Sequence, residues 1–402
     1  MTHQYLSLMD GGDNESVSIF SGKNKEISLI NSWSFNIGLF YDRVSRVALG
    51  NYPNEGKFMG LAPYGKPKNN GLIIDNPNGG SEYLEELKLL LKSIQPKELS
   101  GKKNAMDWSD FASTMQNHFQ DVVLYFFNLA KKETGNENIV FAGGCGLNCS
   151  FNGWLTRVSP GTNLYVPPVP HDAGVSLGAA LYVDRSYAKN EKIRSAYYGR
   201  SFSDEEVEKT IINFNVDYVY LDTKTLLEKV ALFLSEGKTV GLFQGREEIG
   251  KRALGARSFL IDPRDKNNFE KLNNMKGREL WRPLAPSILE EYANDYFYQT
   301  DLNITDFMLG ALIVKEEARH KIPVAVHVDN TARPQFVRKE TNPFYHQLIE
   351  EFYKLTGVPV LINTSFNLAG KPIVHHPKDA IFTFINSDLD VLVINNFLMT
   401  KF

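Results

Sequence analysis

Cysteine is scarce in this sequence, with only two among 402 residues. Cys145 and Cys149 both lie in one glycine-rich stretch, so a framework of disulfides, as found in small secreted domains, is excluded. No histidine or further cysteine stands beside them to complete a tetrahedral metal site. We expect both thiols to be small buried packing groups in a reducing compartment.

Long apolar runs and a strong charge of one sign are also missing. No run reaches the roughly 20 residues that a membrane-spanning helix needs, and the first residues, MTHQYLSLMDGG, lack the basic and apolar regions of a signal peptide. A net charge of −3 gives no electrostatic reason to expect nucleic acid or a membrane as a partner. We therefore predict a cytoplasmic protein that binds anions only through locally clustered cations.

The sequence does have the composition of a soluble globular protein, with 43% hydrophobic and 23% charged residues. Alternating apolar and polar residues predict three strands within residues 5–33, joined by a glycine-rich hairpin and a turn. Helical spacing appears in SEYLEELKLLLKSI and from Trp108 to about Glu133. NIVFA at 138–142 reads as a strand before a glycine turn, and GVSLGAALYV reads as a helix of small residues. This order of elements predicts an α/β fold.

Two domains are expected, because 402 residues exceed the usual size of one hydrophobic core. A polar interval over residues 184–217 marks their boundary, and we assign the domains to residues 1–195 and 196–402. The second domain is also predicted to be α/β. Its expected elements are a helix over 223–236 and strands in TVGLFQG, FMLGALIV, VAVHV and VPVLINTS.

The densest functional signal is the segment GREEIGKRALGARSFLIDPRDKNNFEKLNNMKGRELWRPLAPS. Its cations include Arg246, Lys251, Arg252, Arg257, Lys276, Arg278 and Arg282, which stand among glycines. Guanidinium groups bind phosphate bidentately, and glycines let backbone N–H groups approach the same oxygens. We interpret the segment as a polyphosphate site. The alternative is a solvated basic face, which the interleaved acids Glu247, Glu248 and Glu279 disfavour.

Two later segments follow predicted strands and are expected to join this site. HVDNTARPQ supplies His327, Thr331 and Arg333, and NTSFN supplies Asn363, Thr364, Ser365 and Asn367. Open α/β sheets bind ligands at strand ends, where hydroxyl and amide side chains hydrogen-bond them. Each residue alone could equally cap a turn.

The N-terminal region contains two weaker signals. Asp10 in DGGDNES and Asp172 in HDAGVSLGAA are carboxylates beside glycines, which suits a metal ion but also suits a local turn or a helix cap. Gly143, Gly144 and Asn148 in GGCGLN follow an apolar strand and could cradle a phosphate or nucleoside.

Together these blocks resemble the O-carbamoyltransferase family of the nodulation-factor and tobramycin type. The residues that carry the resemblance are NEGKFMGLAPYGKP, GGCGLNCSFNG, HDAGVSLGAA, GREEIGKRALGARSFLIDPRD, KGRELWRPLAPS, HVDNTARPQ and TGVPVLINTSFN, all in the family's order. It implies a partial actin/hexokinase-like (ASKHA) domain followed by a YrdC-like domain. The family departs from this chain in having Pro at Lys251, Gly at Asn330 and Glu at Lys371.

The resemblance also implies a reaction. The YrdC-like domain, from about residue 215 onward, is expected to make carbamoyl-AMP from carbamoyl phosphate and ATP with Mg²⁺, and the first domain to pass the carbamoyl group to a hydroxyl of a small molecule. By the resemblance, Lys276, Arg282, Arg333 and Ser365 contact the adenylate or phosphates, with Arg252 and Arg257 beside them. The other residues expected around the nucleotide are Arg278, His327, Thr331, Asn363, Asn367, Gly143, Gly144 and Asn148.

The family's metal, expected to be Fe²⁺, is implied at Asp10 and Asp172 together with two histidines of an HxxxH motif that this chain lacks. We therefore expect a small partner protein that supplies this motif and the family's leading strands. Two other readings stay open. One is a nucleotide-binding scaffold that has lost transfer, and the other is threonylcarbamoyl-adenylate chemistry on tRNA, which the weak net charge disfavours.

Overall fold

The computed structural model describes residues 2–7 (backbone only), 17–23, 26–33, 37–50, 54–67, 104–183, 193, 195–300 and 303–402. The chain divides into two compact units, Met1–Lys189 and Asn190–Phe402. Each contains a β-sheet together with helices, which confirms the predicted α/β class. Within the described ranges, no helix is both long and apolar enough to cross a membrane.

The first unit contains a five-stranded sheet in the order β3-β2-β1-β4-β5. Its strands are β1 (Thr2–Ser7), β2 (Val17–Lys23), β3 (Glu26–Trp33), β4 (Asn138–Ala142) and β5 (Asn163–Tyr165). The first three strands pair antiparallel, whereas β4 pairs parallel with both β1 and β5. The three early strands and the strand NIVFA are as predicted.

The described helices of the first unit surround an aromatic core. They are α1 (Ile37–Leu49), α2 (Glu55–Leu61), α3 (Ser109–Thr134), α4 (Cys149–Val158) and α5 (Gly174–Val183), with short 3₁₀ turns at Ala62–Tyr64, Ala105–Trp108 and Gly144–Leu147. On α3 the Phe127 ring packs edge-on against Phe141 at 5.2 Å and Phe151 at 5.4 Å between centroids. Cys145 and Cys149 are buried and are not joined in a disulfide, as expected. The helix predicted in SEYLEELKLLLKSI lies outside the described residues.

The second unit is built on an eight-stranded sheet in the order β12-β9-β13-β8-β7-β14-β15-β6. The strands of this unit are β6 (Val219–Tyr220), β7 (Val240–Phe243), β8 (Arg257–Ile261), β9 (Ala285–Leu289), β10 (Leu312–Ile313), β11 (Thr331–Ala332), β12 (Gln335–Val337), β13 (Val360–Ser365), β14 (Val391–Ile394) and β15 (Phe397–Thr400). Strands β10 and β11 form a separate two-stranded sheet.

Helices cover both faces of this sheet. They are α6 (Asp204–Phe214), α7 (Thr223–Ser235), α8 (Asn267–Met275), α9 (Ala293–Tyr296), α10 (Glu316–Arg319), α11 (Pro343–Thr356) and α12 (Pro377–Ile385), with a 3₁₀ turn at Glu290–Tyr292. In β14, Val391 and Val393 belong to the core cluster under α7 and α11. Leu392 and Ile394 belong to the cluster under α6 and α12. Because β14 is buried on both faces, all of its residues are apolar.

One predicted strand, VAVHV, is not a strand in the structure, and another, FMLGALIV, is shorter than predicted. VAVHV forms turns, because Val324 N donates to Pro263 O at 3.2 Å and Ala325 N donates back to Ile322 O at 2.9 Å. Val324 and Ala325 are buried without being paired in a sheet, whereas Val328 is 52% exposed. Of FMLGALIV, only Leu312–Ile313 is a strand, since Met308 before it adopts a left-handed φ of 55°.

Residues before 215 belong to the core of the second unit. Phe202, Val207 and Ile211 are buried in the same cluster as strands β8 and β13. An active domain that began at about residue 215 would therefore lack α6, which belongs to that core.

A pair of neighbouring isoleucines tests this point. Ile211 is fully buried, whereas the adjacent Ile212 is 62% exposed. In the full chain, Ile211→Ala should lower the free energy of unfolding by about 2–5 kcal/mol, and Ile212→Ala by about 0.5 kcal/mol or less. Urea denaturation of both variants measures the difference. Equal effects would show that α6 does not contribute to the core.

Candidate functional site

Lys276 lies at the centre of the candidate site, just after α8. Its side chain is 2% exposed, and its Nζ donates to Asn367 O at 2.7 Å, to Asn367 Oδ1 at 3.0 Å and to the main-chain oxygen of Ser365. Three acceptors match the three N–H groups of an ammonium. Burial, followed by the charges of Arg278 and Arg282, holds the pKa of Lys276 well below its usual range. The lysine thus fastens the loop after α8 to the end of β13.

Arg278 faces the same strand end. Its Nη1 donates to Thr364 Oγ1 at 3.0 Å and its Nη2 to Ser365 Oγ at 3.5 Å. Burial, together with the charges of Arg282 and Arg333, lowers its pKa to about 9. The strand-end hydroxyls are therefore oriented by a cation that is itself repelled by two others.

Arg282 and Arg333 complete the group of cations. Burial lowers the pKa of Arg282, Glu279 at 3.5 Å opposes this, and Arg333 lowers it further. The Nε of Arg333 is buried and lacks a hydrogen-bond partner among the described residues. We call Lys276, Arg278, Arg282 and Arg333 the cation cluster. Glu279 contributes a negative charge that acts on Arg278 and Arg282.

The cation cluster can bind an anion of more than one negative charge. Four cations and one carboxylate leave an excess of positive charge, and the half-buried setting strengthens its attraction for an anion relative to bulk water. Planar guanidinium groups favour phosphate or carboxylate oxygens. The structure thereby brings together five predicted site residues: Lys276, Arg278, Arg282, Arg333 and Ser365. Asn367 joins them through its hydrogen bond with Lys276.

Arg257 does not face a ligand, contrary to the prediction. It is fully buried, its guanidinium lies 3.5 Å from the centre of the Phe243 ring, and it donates to the main-chain oxygens of Gln244, Ala256, Arg200 and Gly245. Both of its Nη atoms donate to carbonyl groups, which indicates a structural role. Lys251 is exposed, and Arg252 is half-buried on the same turn.

Glu248 was read in the sequence only as an acid between cations. In the structure its Oε1 accepts from the N–H groups of Leu254, Ala256 and Arg257 at 2.6–3.2 Å. Backbone N–H groups that were expected to reach a phosphate therefore bind an internal carboxylate. In the sequence, only the glycine-containing turn after Glu247 and Glu248 indicates that an acid could bind these N–H groups. No spacing rule identifies Glu248 as that acid.

Asn363 lies apart from the cation cluster. It is 1% exposed, and its Nδ2 donates to Ser287 Oγ at 3.1 Å and Gln335 Oε1 at 3.3 Å, linking strands β13, β9 and β12. Thr364, next in the chain, has the opposite side-chain direction and meets Arg278. Asn363 thus joins strands in the interior.

His327 and Thr331 shape the loop that leads to Arg333. Asp329 Oδ1 accepts from Thr331 N at 3.0 Å and Oγ1 at 2.7 Å, and lies 3.6 Å from His327 Nδ1. Burial alone would raise the pKa of Asp329, but these hydrogen bonds lower it overall. Asn330 adopts a left-handed φ of 62°. Since asparagine tolerates this region better than most residues, its replacement of the family's glycine leaves the loop geometry possible.

The glycine turn of the first unit is stabilised from within. Gly143 has a φ of 101° and its N–H donates to Pro170 O at 2.6 Å, while Gly144 starts a 3₁₀ turn. Asn148 Oδ1 caps α4 by accepting from Phe151 N at 2.9 Å, and its Nδ2 donates to Gln116 Oε1 at 3.1 Å. The side chain of Asn148 is therefore engaged in structure, and its ligand contact stays a prediction.

The predicted metal ligands receive little support. Asp172 is exposed at the start of α5, and its carbonyl accepts from Val175 N at 3.0 Å. Asp10 lies outside the described residues. Across the ranges that are described, three or more His, Cys, Asp or Glu side chains do not converge anywhere as a metal site. Asp172 is thus the one predicted metal ligand that the structure describes, and the metal site stays a prediction.

Family comparisons cover both units. The family model described as carbamoyltransferase N-terminus matches residues 4–181, and the model described as carbamoyltransferase C-terminus matches residues 231–401. Nodulation protein NolNO of Sinorhizobium fredii is 35% identical over 412 residues, covering 98% of this chain and 60% of its own.

Two further relatives also match most of this chain. Nodulation protein NolO of Bradyrhizobium diazoefficiens is 35% identical over 381 residues, covering 91% of this chain and 69% of its own. An uncharacterised Synechocystis protein is 36% identical over 450 residues, with 98% and 72% covered. The chain thus spans about two thirds of the length of these relatives.

Solved structures are more distant. Full-length HypF in a phosphate- and nucleotide-bound form has 17% identity and a TM-score of 0.30, covering 46% of this chain and 22% of its own. Sua5 of P. abyssi complexed with L-threonine has 15% identity and a TM-score of 0.31, covering 46% and 49%. Similarity at this level supports no conclusion about ligands.

Asn330 provides a test of the loop that leads to Arg333. Asn330→Gly should change the free energy of unfolding by less than about 1 kcal/mol, because glycine adopts a positive φ freely. Asn330→Val should lower it by about 1–2 kcal/mol, because a β-branched side chain clashes in the left-handed region. Urea denaturation compares the two. A valine variant as stable as the glycine variant would mean that the loop does not adopt this conformation.

Proposed function

The chain belongs to the carbamoyltransferase family, and on this premise we propose that its second unit joins a carbamoyl group to the phosphate of AMP, using carbamoyl phosphate and ATP. The first unit then takes part in moving the carbamoyl group from this adenylate to a hydroxyl group of a small molecule, such as a sugar or natural product.

The cation cluster carries this proposal. Lys276, Arg278 and Arg282 come from one loop, and Arg333 lies between β11 and β12 in the chain. Burial and mutual repulsion lower the pKa of three of them. Such repulsion is relieved when a polyanion binds, and a triphosphate has the required charge.

The same cations suit the chemistry of adenylate formation. Water first releases inorganic phosphate from carbamoyl phosphate and leaves carbamate. When a carbamate oxygen then attacks the α-phosphorus of ATP, the bond to the β-phosphate oxygen breaks and pyrophosphate leaves with added negative charge. Fixed cations stabilise that charge as it develops, at little cost of reorganisation. Ser365 and Thr364 present hydroxyl groups at the same place, which can hydrogen-bond the carbamoyl or phosphate oxygens.

The remaining parts of the reaction are supported less directly. Transfer to a hydroxyl acceptor, Mg²⁺ with the ATP, an iron site and a small partner protein follow from the family resemblance, and each stays a prediction. Because NolNO and NolO are longer than this chain, the activity of such whole proteins is also only proposed for it.

The test is adenylate formation without any acceptor. The full chain is incubated with ATP, Mg²⁺ and carbamoyl phosphate, and pyrophosphate release is followed together with carbamoyl-AMP by mass spectrometry. Arg282→Ala should reduce the rate by about tenfold or more, because one charge-assisted phosphate contact contributes about 1.5–3 kcal/mol.

Lys266→Ala is the matched control, since it removes an exposed cation from the same unit, just before α8. It should leave the rate within about twofold. Nucleotide binding without pyrophosphate release would favour a binding scaffold instead, and equal loss in both variants would show that the cation cluster has no special role.

A further inference from the structure

Residues 195–200 lie between the two regions that the family models match, 4–181 and 231–401. They nevertheless pair with the arginine-rich turn, residues 244–256, which lies between β7 and β8. Gly199 N donates to Glu247 O at 2.9 Å, Glu247 N donates to Arg200 O at 3.1 Å, and Ile249 N donates to Ala196 O at 2.8 Å. These residues form a short connecting segment that is fixed along its length to the turn. We call residues 195–200 the connecting segment.

Two arginines of the basic sequence cluster strengthen this pairing. Arg246 donates from Nε to Gly199 O at 3.1 Å and from Nη2 to Tyr198 O at 2.7 Å. Arg257 Nη2 donates to Arg200 O at 3.1 Å. Hydrogen bonds from charged donors are stronger than neutral ones, so the segment is held firmly against the turn.

Tyr197 reaches from the connecting segment into the turn. Its hydroxyl donates to Leu254 O at 2.7 Å, and Gln335 Nε2 donates to the same oxygen at 2.8 Å. Burial raises the pKa of Tyr197, so the hydroxyl keeps its proton at neutral pH. On the other side, Leu254 N donates to Glu248 Oε1 at 2.7 Å. Both main-chain polar groups of Leu254 are therefore fixed by side chains.

The arginine-rich turn is also linked to the cation cluster, through strands β8 and β13. Arg257, at its end, accepts from Phe366 N through its carbonyl at 3.0 Å, and Ser258 pairs with Ser365 across β8 and β13. Ser365 is the residue that Arg278 and Lys276 bind. A shift of the turn would therefore move the strand end on which the cations are arranged.

We infer that the connecting segment is a working part of the anion site and that Tyr197 is a positioning residue for it. This inference rests on the proposed function, because the ligand is taken to be a polyphosphate. Tyr197 does not touch the ligand. It sets the place of the Leu254 peptide, and through β8 and β13 the place of Ser365.

The first test removes only the hydroxyl. Tyr197→Phe in the full chain should weaken the binding of inorganic pyrophosphate by about threefold to tenfold, the equivalent of one hydrogen bond. The KM for ATP should rise with it, while kcat in pyrophosphate formation changes less. Tyr298→Phe is the control, because Tyr298 belongs to the same unit and is 48% exposed. Calorimetry is performed well below the melting temperature of both variants.

A second variant displaces the segment without removing a charge or a hydrogen-bonding side chain. A Cβ at Gly199 would lie 2.7 Å from Glu247 Cβ, whereas one at Gly161 meets nothing within 4 Å. Gly199→Ala should therefore weaken pyrophosphate binding, and Gly161→Ala should not. This variant decides the matter if Tyr197→Phe fails to fold.

Three outcomes separate the possibilities. Weaker pyrophosphate binding in Tyr197→Phe or Gly199→Ala, with normal binding in the controls, supports the inference. Normal binding in folded variants that only melt earlier would overturn it and leave the connecting segment with a structural role. Absence of pyrophosphate binding by the unmodified chain would instead refute the proposed function, and the inference with it.

Discussion

The hydrogen bonds of the buried Lys276 ammonium hold the second unit's site together. Burying a charge costs several kcal/mol unless hydrogen bonds replace its water, and here the replacements come from Ser365 and Asn367. These residues lie at the end of β13, far along the chain from α8. The pairing therefore fixes one loop against another, and the positions of Arg278 and Thr364 follow from it.

Around this lysine the structure places like charges close together. Such an arrangement is unfavourable in the empty protein and favourable once an anion binds, so part of the binding free energy comes from repulsion that is already present. The arginines divide into two groups. Arg246 and Arg257 bind main-chain carbonyls and support the turn, whereas Arg282 and Arg333 belong to the cation cluster, where their charges repel each other.

The sequence predicts best where a local pattern decides the structure. NIVFA is a strand and the helix after Trp108 ends at Gly135, because β-branched and aromatic residues, helical spacing and a left-handed glycine all act locally. VAVHV was wrong because Pro263, distant in sequence, takes the hydrogen bond of Val324. Arg257 was misjudged for a related reason, since composition counts cations but does not tell which of them meet carbonyls. The grouping of Arg278, Arg282, Arg333 and Ser365 could be predicted because all lie in motif blocks.

The sheet pairings also bear on how the chain acquires its structure during synthesis. In the first unit β1 lies between β2 and β4. In its parallel pairing with β4, Gln4 of β1 lies opposite Ile139 of β4. In the second, Val240 of β7 pairs with Val391 of β14. At roughly 5–20 residues per second a ribosome takes on the order of ten seconds to deliver each late partner. During that interval the early strands have one unpaired edge, and non-local parallel pairing is intrinsically slow. Nascent chains of this protein therefore need protection from aggregation twice, once for each sheet.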